Sequence, residues 1–173
     1  MEQVILVDEH DRPIGVAEKL AAHQDGGRLH RAFSVCVFND AGELLLQKRA
    51  PGKYHFGGLW SNTCCGHPRP GEPTRHAARR RLREEFGFVT GLREVGEFTY
   101  QMQDTASGLA ENEIDHVFIG RFNGNPKPAP TEIEDWKWTT PAALRDDMAR
   151  QPDHFTPWLS LVLAKFDEAG LRE

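Results

Sequence analysis

The sequence predicts an α/β (α+β) fold, a single domain in which a mixed β-sheet is sandwiched between helices. Strand-like runs come first, one amphipathic helix interrupts them, and further strands are followed by two closing helices. The 173 residues, 39% of them hydrophobic and 27% charged, suit one domain with a core of its own. No internal repeat or long linker divides the chain.

Two hairpins are predicted at the start of the chain. The runs QVILVDE and IGVAEK flank a turn at residues 11–13 and predict a short hairpin. Residues 31–50, RAFSVCVFNDAGELLLQKRA, place FSVCVF and ELLLQKR on either side of NDAG and predict a second hairpin.

One helix is predicted in the middle of the chain, over residues 73–87, PTRHAARRRLREEFG. Ala78, Leu82 and Phe86 recur every four positions and form its inward stripe, and Gly87 ends it. Strands are expected over residues 94–103, 111–122 and 134–140, and helices over residues 141–150 and 157–169.

The composition argues against several classes of protein. A net charge of −5 disfavours binding to nucleic acid or to an anionic membrane, because both partners require a basic field. Neither a signal peptide nor a membrane-spanning run is present, and no segment specifies a protein partner. Three cysteines, two of them adjacent, give no disulfide framework. We therefore expect a soluble cytoplasmic protein with reduced thiols.

The stretch SNTCCGHPRPGE, residues 61–72, is unusual because it combines two cysteines, a histidine and an acid with several turn formers. Its glycines and prolines could simply connect a strand to a helix around two buried thiols. Alternatively, a rigid loop could hold an acid/base thiol and a metal ligand.

Residues 66–88, GHPRPGEPTRHAARRRLREEFGF, resemble the Nudix box and thereby imply a Nudix-type fold. The match depends on fixed spacing, and the matching positions are Gly66, Glu72, Arg80, Leu82, Glu84, Glu85, Gly87 and Phe88. A loop that leads into a helix should bring Glu72 near Glu84 and Glu85, forming an oxygen cage for Mg²⁺ against a diphosphate.

Arg81 departs from this pattern, because a Nudix hydrolase has Glu directly after the Arg. Arg81 could merely pair with Glu85 four residues later on the helix, or its planar guanidinium could bind a substrate phosphate. Replacing an acid by a cation weakens the case for hydrolysis and leaves diphosphate binding intact.

Four stretches together resemble the type 1 isopentenyl-diphosphate isomerases, a branch of the Nudix superfamily. They are EKLAAHQDGGRLHRAFS, SNTCCGHPRPGE, FTYQMQDTASGLAENEI and FTPWLS. The resemblance runs from about residue 4 to residue 163, within one domain over residues 1–173 whose catalytic core spans about residues 28–160.

The resemblance implies three groups of site residues. A divalent metal, Mn²⁺ or Zn²⁺, would be bound by His23, His30, His67, Glu111 and Glu113, while Glu85 would help to hold Mg²⁺ on the substrate diphosphate. The acid/base groups would be Cys65 and Glu113, with Tyr100 hydrogen-bonded to the carboxyl group and Trp158 facing the carbocation. The diphosphate would lie among Lys19, Arg49, Lys53 and Arg81.

Some of these assignments have support from the residues alone. Glu111 and Glu113 lie two apart on a predicted strand, so both carboxylates face one side and need a positive charge between them. Cys64 and the remaining histidines, His10, His55, His76, His116 and His154, are expected in packing, surface or hydrogen-bonding roles. Gly57 occupies a position where the family usually has Pro, which predicts a looser loop between Lys53 and Trp60.

The implied reaction converts isopentenyl diphosphate to dimethylallyl diphosphate by protonation and deprotonation, supplying isoprenoid biosynthesis. Two other functions stay open. One is a Nudix pyrophosphohydrolase of a nucleotide or prenyl diphosphate, which would be indifferent to Cys65. The other is a non-catalytic diphosphate-binding module.

Overall fold

The mixed sheet and its helices are present in the computed structural model, which describes residues 2–53 and 55–169. Within these ranges a nine-stranded sheet is flanked by four α-helices and one short 3₁₀ helix, Pro152–His154. The strands are β1 Gln3–Val7, β2 Pro13–Glu18, β3 His30–Phe38, β4 Leu44–Arg49, β5 Trp60–Ser61, β6 Cys64–Gly66, β7 Arg93–Gln103, β8 Ala110–Arg121 and β9 Ile133–Thr139. The helices are α1 Lys19–Ala22, α2 Thr74–Phe86, α3 Pro141–Arg150 and α4 Leu159–Glu168.

Strand β3 organises the sheet. It pairs in parallel with β8 from His30↔Glu113 to Phe38↔Arg121, and antiparallel with β6 through Ser34↔Cys65. Strand β7 continues the sheet beyond β8 and sets Tyr100 opposite Glu113. Residues from four distant parts of the sequence therefore meet around the beginning of β3.

Both predicted hairpins are confirmed, but the strands of the second pair only next to the turn. Strands β1 and β2 pair antiparallel over five residue pairs. In the second, the turn forms, with the Asn39 N–H donating to the Glu43 carbonyl at 3.0 Å, but only Phe38 pairs with Leu44. The two edges of β3 are already occupied by β8 and β6, so β4 diverges to pair with β9.

Helix α2 confirms the predicted central helix to within a residue at each end. Gly87 follows it with φ of 74° and donates its N–H to the Arg83 carbonyl, which ends the helix in the left-handed conformation that glycine favours. Helix α3 has the predicted bounds, and α4 begins at Leu159 after the predicted 157. The short elements α1, β5 and β6 were not predicted.

Helices cover both faces of the sheet. Phe33 and Val35 of β3 pack with Leu82 and Phe86 of α2 on one face. On the other face, Cys36 lies in a cluster with residues of α3 and α4, including Leu144, Leu159, Val162 and Phe166. The predicted sandwich is confirmed by these two buried clusters. Among the described residues, no helix has the length and apolarity to cross a bilayer.

Candidate active site

The five predicted ligands of the His/Glu metal site come together. His23 follows α1, His30 begins β3, His67 follows β6, and Glu111 and Glu113 share one face of β8. One potential ligand atom from each lies within 4.8 Å of the others, and all five residues are buried. The sheet register explains the convergence, because His30 lies beside Glu113 in the parallel pair of β3 and β8.

Glu113 is at the centre of this cluster. Its Oε1 lies 2.7 Å from His67 Nε2, 3.2 Å from His30 Nε2 and 4.0 Å from His23 Nε2. Glu111 Oε2 lies 3.2 Å from His23 Nε2. Three imidazoles therefore direct the same ring nitrogen toward two carboxylates.

The arrangement fits a divalent metal. His23 and His30 each donate Nδ1–H to a backbone carbonyl at 2.7 Å, those of Lys19 and Arg28. Carbonyl oxygens only accept, so both Nε2 lone pairs are left facing the cluster. Glu111 Oε2 is buried and lies 3.2 Å from His23 Nε2, whose lone pair cannot donate to it, as expected of two atoms that share a cation. Imidazole and carboxylate donors together suit a divalent ion.

The electrostatics of the cluster favour ligating forms of Glu113 and His67, whereas at His23 the effect of burial is outweighed by the Glu111 carboxylate, which raises the pKa. Burial opposes ionisation of Glu113, but the favourable interactions of its carboxylate with the imidazoles of His30 and His67 outweigh it, so the pKa of Glu113 lies well below its usual value. Burial lowers the pKa of His67 to about 4, against the opposing effect of Glu113. Glu113 is thus a carboxylate and His67 a neutral imidazole near pH 7, and both can bind a metal ion.

The three acids of the second expected metal site, Glu72, Glu84 and Glu85, are paired with arginines, and their role as an oxygen cage for Mg²⁺ stays a prediction. Arg80 lies 2.8 Å from Glu72 and 3.4 Å from Glu84, and it neutralises both. Glu85 is buried and accepts a hydrogen bond from Gln47 Nε2 at 2.9 Å, while Arg81 contacts both Glu84 and Glu85. Spacing alone did not reveal that Arg80 would lie between the first two acids.

A pocket opens next to the His/Glu cluster. Most of the predicted site residues line it, and they are Lys19, Arg49, Lys53, Cys65, His67, Arg81, Tyr100, Glu111, Glu113 and Trp158. The remaining three, His23, His30 and Glu85, are almost fully buried and do not line it. The pocket thus combines thiol, carboxylate, phenol and indole groups with four cations.

Carboxylates or carbonyls already engage the four cations. Lys19 pairs with Glu2 at 3.0 Å, and Lys53 pairs with Glu132. Arg81 contacts Glu132 at 3.2 Å and also pairs with Glu84 and Glu85, so the predicted Arg81–Glu85 pair is present. Arg49 donates to the carbonyls of His55 and Phe56 at 3.2 and 3.1 Å.

Gly57, beside this group of cations, is required by close packing. A Cβ at this position would lie 2.9 Å from the Pro51 carbonyl oxygen and 3.2 Å from that of Ala50. The loop that carries Lys53 is therefore folded tightly against its own backbone.

The Cys65 thiol lies between two polar side chains, with Sγ 3.2 Å from Asn62 Oδ1 and 3.5 Å from Ser34 Oγ. Burial and the neighbouring Asp115 carboxyl raise the pKa of Cys65 to about 12. The thiol is thus almost entirely protonated near neutral pH. Cys64 is fully buried in the cluster around α2, which confirms its packing role.

Tyr100 and Trp158 also line the pocket. The Tyr100 hydroxyl donates to Glu113 Oε2 at 2.8 Å, which confirms the predicted hydrogen bond. Burial and the Glu113 carboxylate hold the pKa of Tyr100 well above its usual value, so the hydroxyl remains a donor. The Trp158 ring centroid lies 5.5 Å from Arg49 Cζ and 6.4 Å from the Tyr100 ring.

Comparison with known proteins agrees with this geometry. Residues 28–159 match the NUDIX domain. The chain is 56% identical over 164 residues to an isopentenyl-diphosphate Delta-isomerase from Halorhodospira halophila, covering 94% of both chains. It is 52% identical over 162 residues to isopentenyl-diphosphate Delta-isomerase 2 from Aromatoleum aromaticum, covering 94% of this chain and 85% of that protein.

The chain belongs to the isopentenyl-diphosphate Delta-isomerase family, within the Nudix proteins. Its fold is also similar to the crystal structure of DR0079 from Deinococcus radiodurans, with a TM-score of 0.79 at 22% identity. That similarity covers 95% of this chain and 98% of the other. The match of residues 28–159 to the NUDIX domain confirms the Nudix-type fold.

Two polar residues of this isomerase-family site were missed in the sequence. His55 was assigned an ordinary role, yet its Nε2 contacts Glu111 at the edge of the metal cluster. Asp115 accepts a 2.7 Å hydrogen bond from Ser34, and burial with the nearby Glu113 charge raises its pKa well above the usual value.

Only Asp115 had a signal in the sequence. It lies two residues after Glu113 on a strand, and the alternation that pairs Glu111 with Glu113 extends to it. His55 lies in an irregular loop, where spacing predicts no direction for a side chain. His116, in contrast, has the hydrogen bonds expected of it, to Glu94 at 2.7 Å and Asp11 at 3.1 Å.

Proposed function

We propose that this isomerase-family protein converts isopentenyl diphosphate into dimethylallyl diphosphate, with Cys65 and Glu113 as its proton-transfer groups. The observation that carries the proposal is that both groups line one pocket together with four cations. The relatives at 49–56% identity carry the name of this activity. The product would supply isoprenoid biosynthesis.

The reaction needs two acid/base groups. Protonating an unactivated alkene generates a tertiary carbocation, and loss of a different proton from that cation moves the double bond. Cys65 is protonated near neutral pH, whereas Glu113 is ionised and accepts a hydrogen bond from Tyr100. One group can therefore supply a proton while the other accepts one, and the assignment reverses with the direction of reaction.

The carbocation must be stabilised and protected from water. We propose that the Trp158 indole face lies against it, where a cation–π contact contributes about 1 to 2 kcal/mol in the absence of water. Trp158 is buried with Phe56 and Tyr100 packed near it, which supports exclusion of water that would trap the cation as an alcohol.

The diphosphate would bind among Lys19, Arg49, Lys53 and Arg81. Because carboxylates already pair with three of these cations, the substrate would have to replace Glu2 and Glu132 as their partner. The arginines can each offer a planar pair of donors to phosphate oxygens.

Two divalent ions are proposed. The His/Glu cluster of His23, His30, His67, Glu111 and Glu113 would hold Mn²⁺ or Zn²⁺, whose charge keeps the Glu113 carboxyl ionised. Glu85 would help to hold Mg²⁺ on the diphosphate, for which its Oε1 and Oε2 would have to leave Arg81 and Gln47.

Several expectations of the sequence stay predictions. The cytoplasmic location and the absence of nucleic-acid, membrane and protein partners depend only on composition. The hydrolase alternative is disfavoured by Arg81, a cation that stands where a Nudix hydrolase has a Glu and that pairs with Glu84 and Glu85. The binding-module alternative predicts no turnover of any diphosphate.

The proposal is tested by ¹H and ³¹P NMR of the protein with isopentenyl diphosphate, Mg²⁺ and Mn²⁺ in D₂O. Deuterated dimethylallyl diphosphate should accumulate while the diphosphate stays intact. Release of phosphate without isomerisation would favour the hydrolase, and unchanged spectra would favour the binding module.

Matched cysteine variants identify the acid/base thiol. Cys65→Ala should abolish isomerisation and retain the circular dichroism spectrum of the folded chain, because the side chain is small and only partly buried. Cys64→Ala removes the adjacent packing thiol and should retain turnover. Equal activity of the two variants would remove Cys65 from the mechanism.

A further inference from the structure

Asn62 connects two of the proposed catalytic side chains. It lies between β5 and β6 and is fully buried. Its Nδ2 donates to the carbonyl of Val35 at 3.1 Å and to that of Cys64 at 3.0 Å. Both amide hydrogens are thus used on backbone acceptors, and a flipped amide would direct Oδ1 against those two oxygens. The direction of the Asn62 carbonyl is fixed by the backbone.

The fixed carbonyl oxygen faces the pocket side chains. Three groups meet Asn62 Oδ1: Trp158 Nε1 donates to it at 3.2 Å, the Ser61 hydroxyl donates to it at 3.0 Å, and Cys65 Sγ lies 3.2 Å away. The indole nitrogen is a donor only, so this bond determines which way the ring is turned in its plane. The thiol can direct its hydrogen to Asn62 or to Ser34, whose own hydroxyl hydrogen goes to Asp115.

We infer that Asn62 is a positioning residue that aligns Trp158 and Cys65 with each other for proton transfer. This inference rests on the proposed function, in which those two residues face the reacting carbons. Asn62 does not line the pocket itself, so its effect on the reaction passes through the two side chains that it holds. The cations of the diphosphate site lie on other segments of the chain.

The expected effect is on turnover rather than binding. Because misplacement of a reacting group by about 1 Å can cost about a hundredfold in rate, Asn62→Ala should lower kcat by about tenfold or more. KM should change by less than about twofold, since the proposed contacts to the diphosphate dominate substrate binding.

Thr63→Val is the matched control. Thr63 is the next residue and also fully buried, but its hydroxyl serves only the framework, donating to the Leu45 carbonyl at 2.6 Å and accepting from the Val37 N–H at 2.9 Å. This variant should lose stability and keep kcat within about twofold of the unmodified protein. Equal loss of kcat in both variants would overturn a positioning role for Asn62.

A double-mutant cycle tests whether Asn62 acts through the indole. In a Trp158→Phe background, which lacks the indole N–H, Asn62→Ala should cost at least threefold less in kcat than it does in the unmodified protein, an interaction of about 0.6 kcal/mol or more by RT ln 3. Fully additive losses would overturn the inference.

A spectroscopic test needs neither activity nor a variant at position 62. The Trp158 indole signal in a ¹H–¹⁵N spectrum is assigned by its loss in Trp158→Phe. Its hydrogen should exchange with solvent more slowly than those of the half-buried Trp60, Trp136 and Trp138. Exchange as fast as theirs would contradict the hydrogen bond, while slow exchange in an inactive protein would refute the proposed function alone.

Discussion

The protonation state of Cys65 gives a quantitative prediction for the metal-free protein. At pH 8 an ordinary thiol with a pKa of about 8.5 is roughly one quarter thiolate, whereas one with a pKa of about 12 is about one part in ten thousand. The more basic thiolate is the better nucleophile, and a Brønsted slope of about 0.4 to 0.5 makes each thiolate roughly 40-fold more reactive. This gain offsets part of the loss in thiolate fraction. Alkylation of Cys65 should therefore be about 50 times slower than that of a free thiol.

The assay is alkylation by iodoacetamide after chelation of metal, followed by peptide mass spectrometry. Cys36 and Cys64 are fully buried with strongly raised pKa values, so Cys65 is the thiol whose rate is informative. Its rate should rise about tenfold per pH unit from pH 7 to 10, because the thiolate fraction does. The urea-unfolded chain should instead level off near pH 8.5 to 9. A plateau near pH 9 in the folded protein would show that restricted access, and not a raised pKa, protects the thiol.

Three further substitutions test the site and its scaffold. His55→Ala removes the contact to Glu111 and should weaken metal binding about tenfold or more, measured by competition with a chelator. An unchanged metal affinity would refute a role for His55 in the site. Gly57→Ala introduces a Cβ 2.9 Å from the Pro51 carbonyl oxygen and should lower Tm and raise KM for isopentenyl diphosphate; an unchanged Tm would mean that the loop adapts. Leu82→Ala should lower the free energy of unfolding by about 2 to 5 kcal/mol in urea titrations, since Leu82 is fully buried, and a loss below 1 kcal/mol would argue against tight packing of α2.

Local pattern in the sequence was sufficient for most elements and for the family. The four-residue repeat of Ala78, Leu82 and Phe86, with Gly87 after it, determines α2 because helix geometry sets both the stripe and the stop. Spacing around Gly66, Glu72 and Arg80 was enough to indicate the Nudix box. Local pattern did not determine which strands pair with each other. Alternation in residues 31–50 predicts two strands but does not indicate which neighbouring strands lie along their edges.

The site likewise has residues that were predicted from the sequence and contacts that only the structure shows. The family resemblance predicted the five residues of the His/Glu cluster and the role of Cys65, and the structure brings those five side chains together. Only the tertiary structure decided that Arg80 separates Glu72 from Glu84, that His55 contacts Glu111, and that Asn62 faces both Cys65 and Trp158. These contacts join segments far apart in sequence, and their existence depends on side-chain directions that the packing of β3, β6 and β8 imposes.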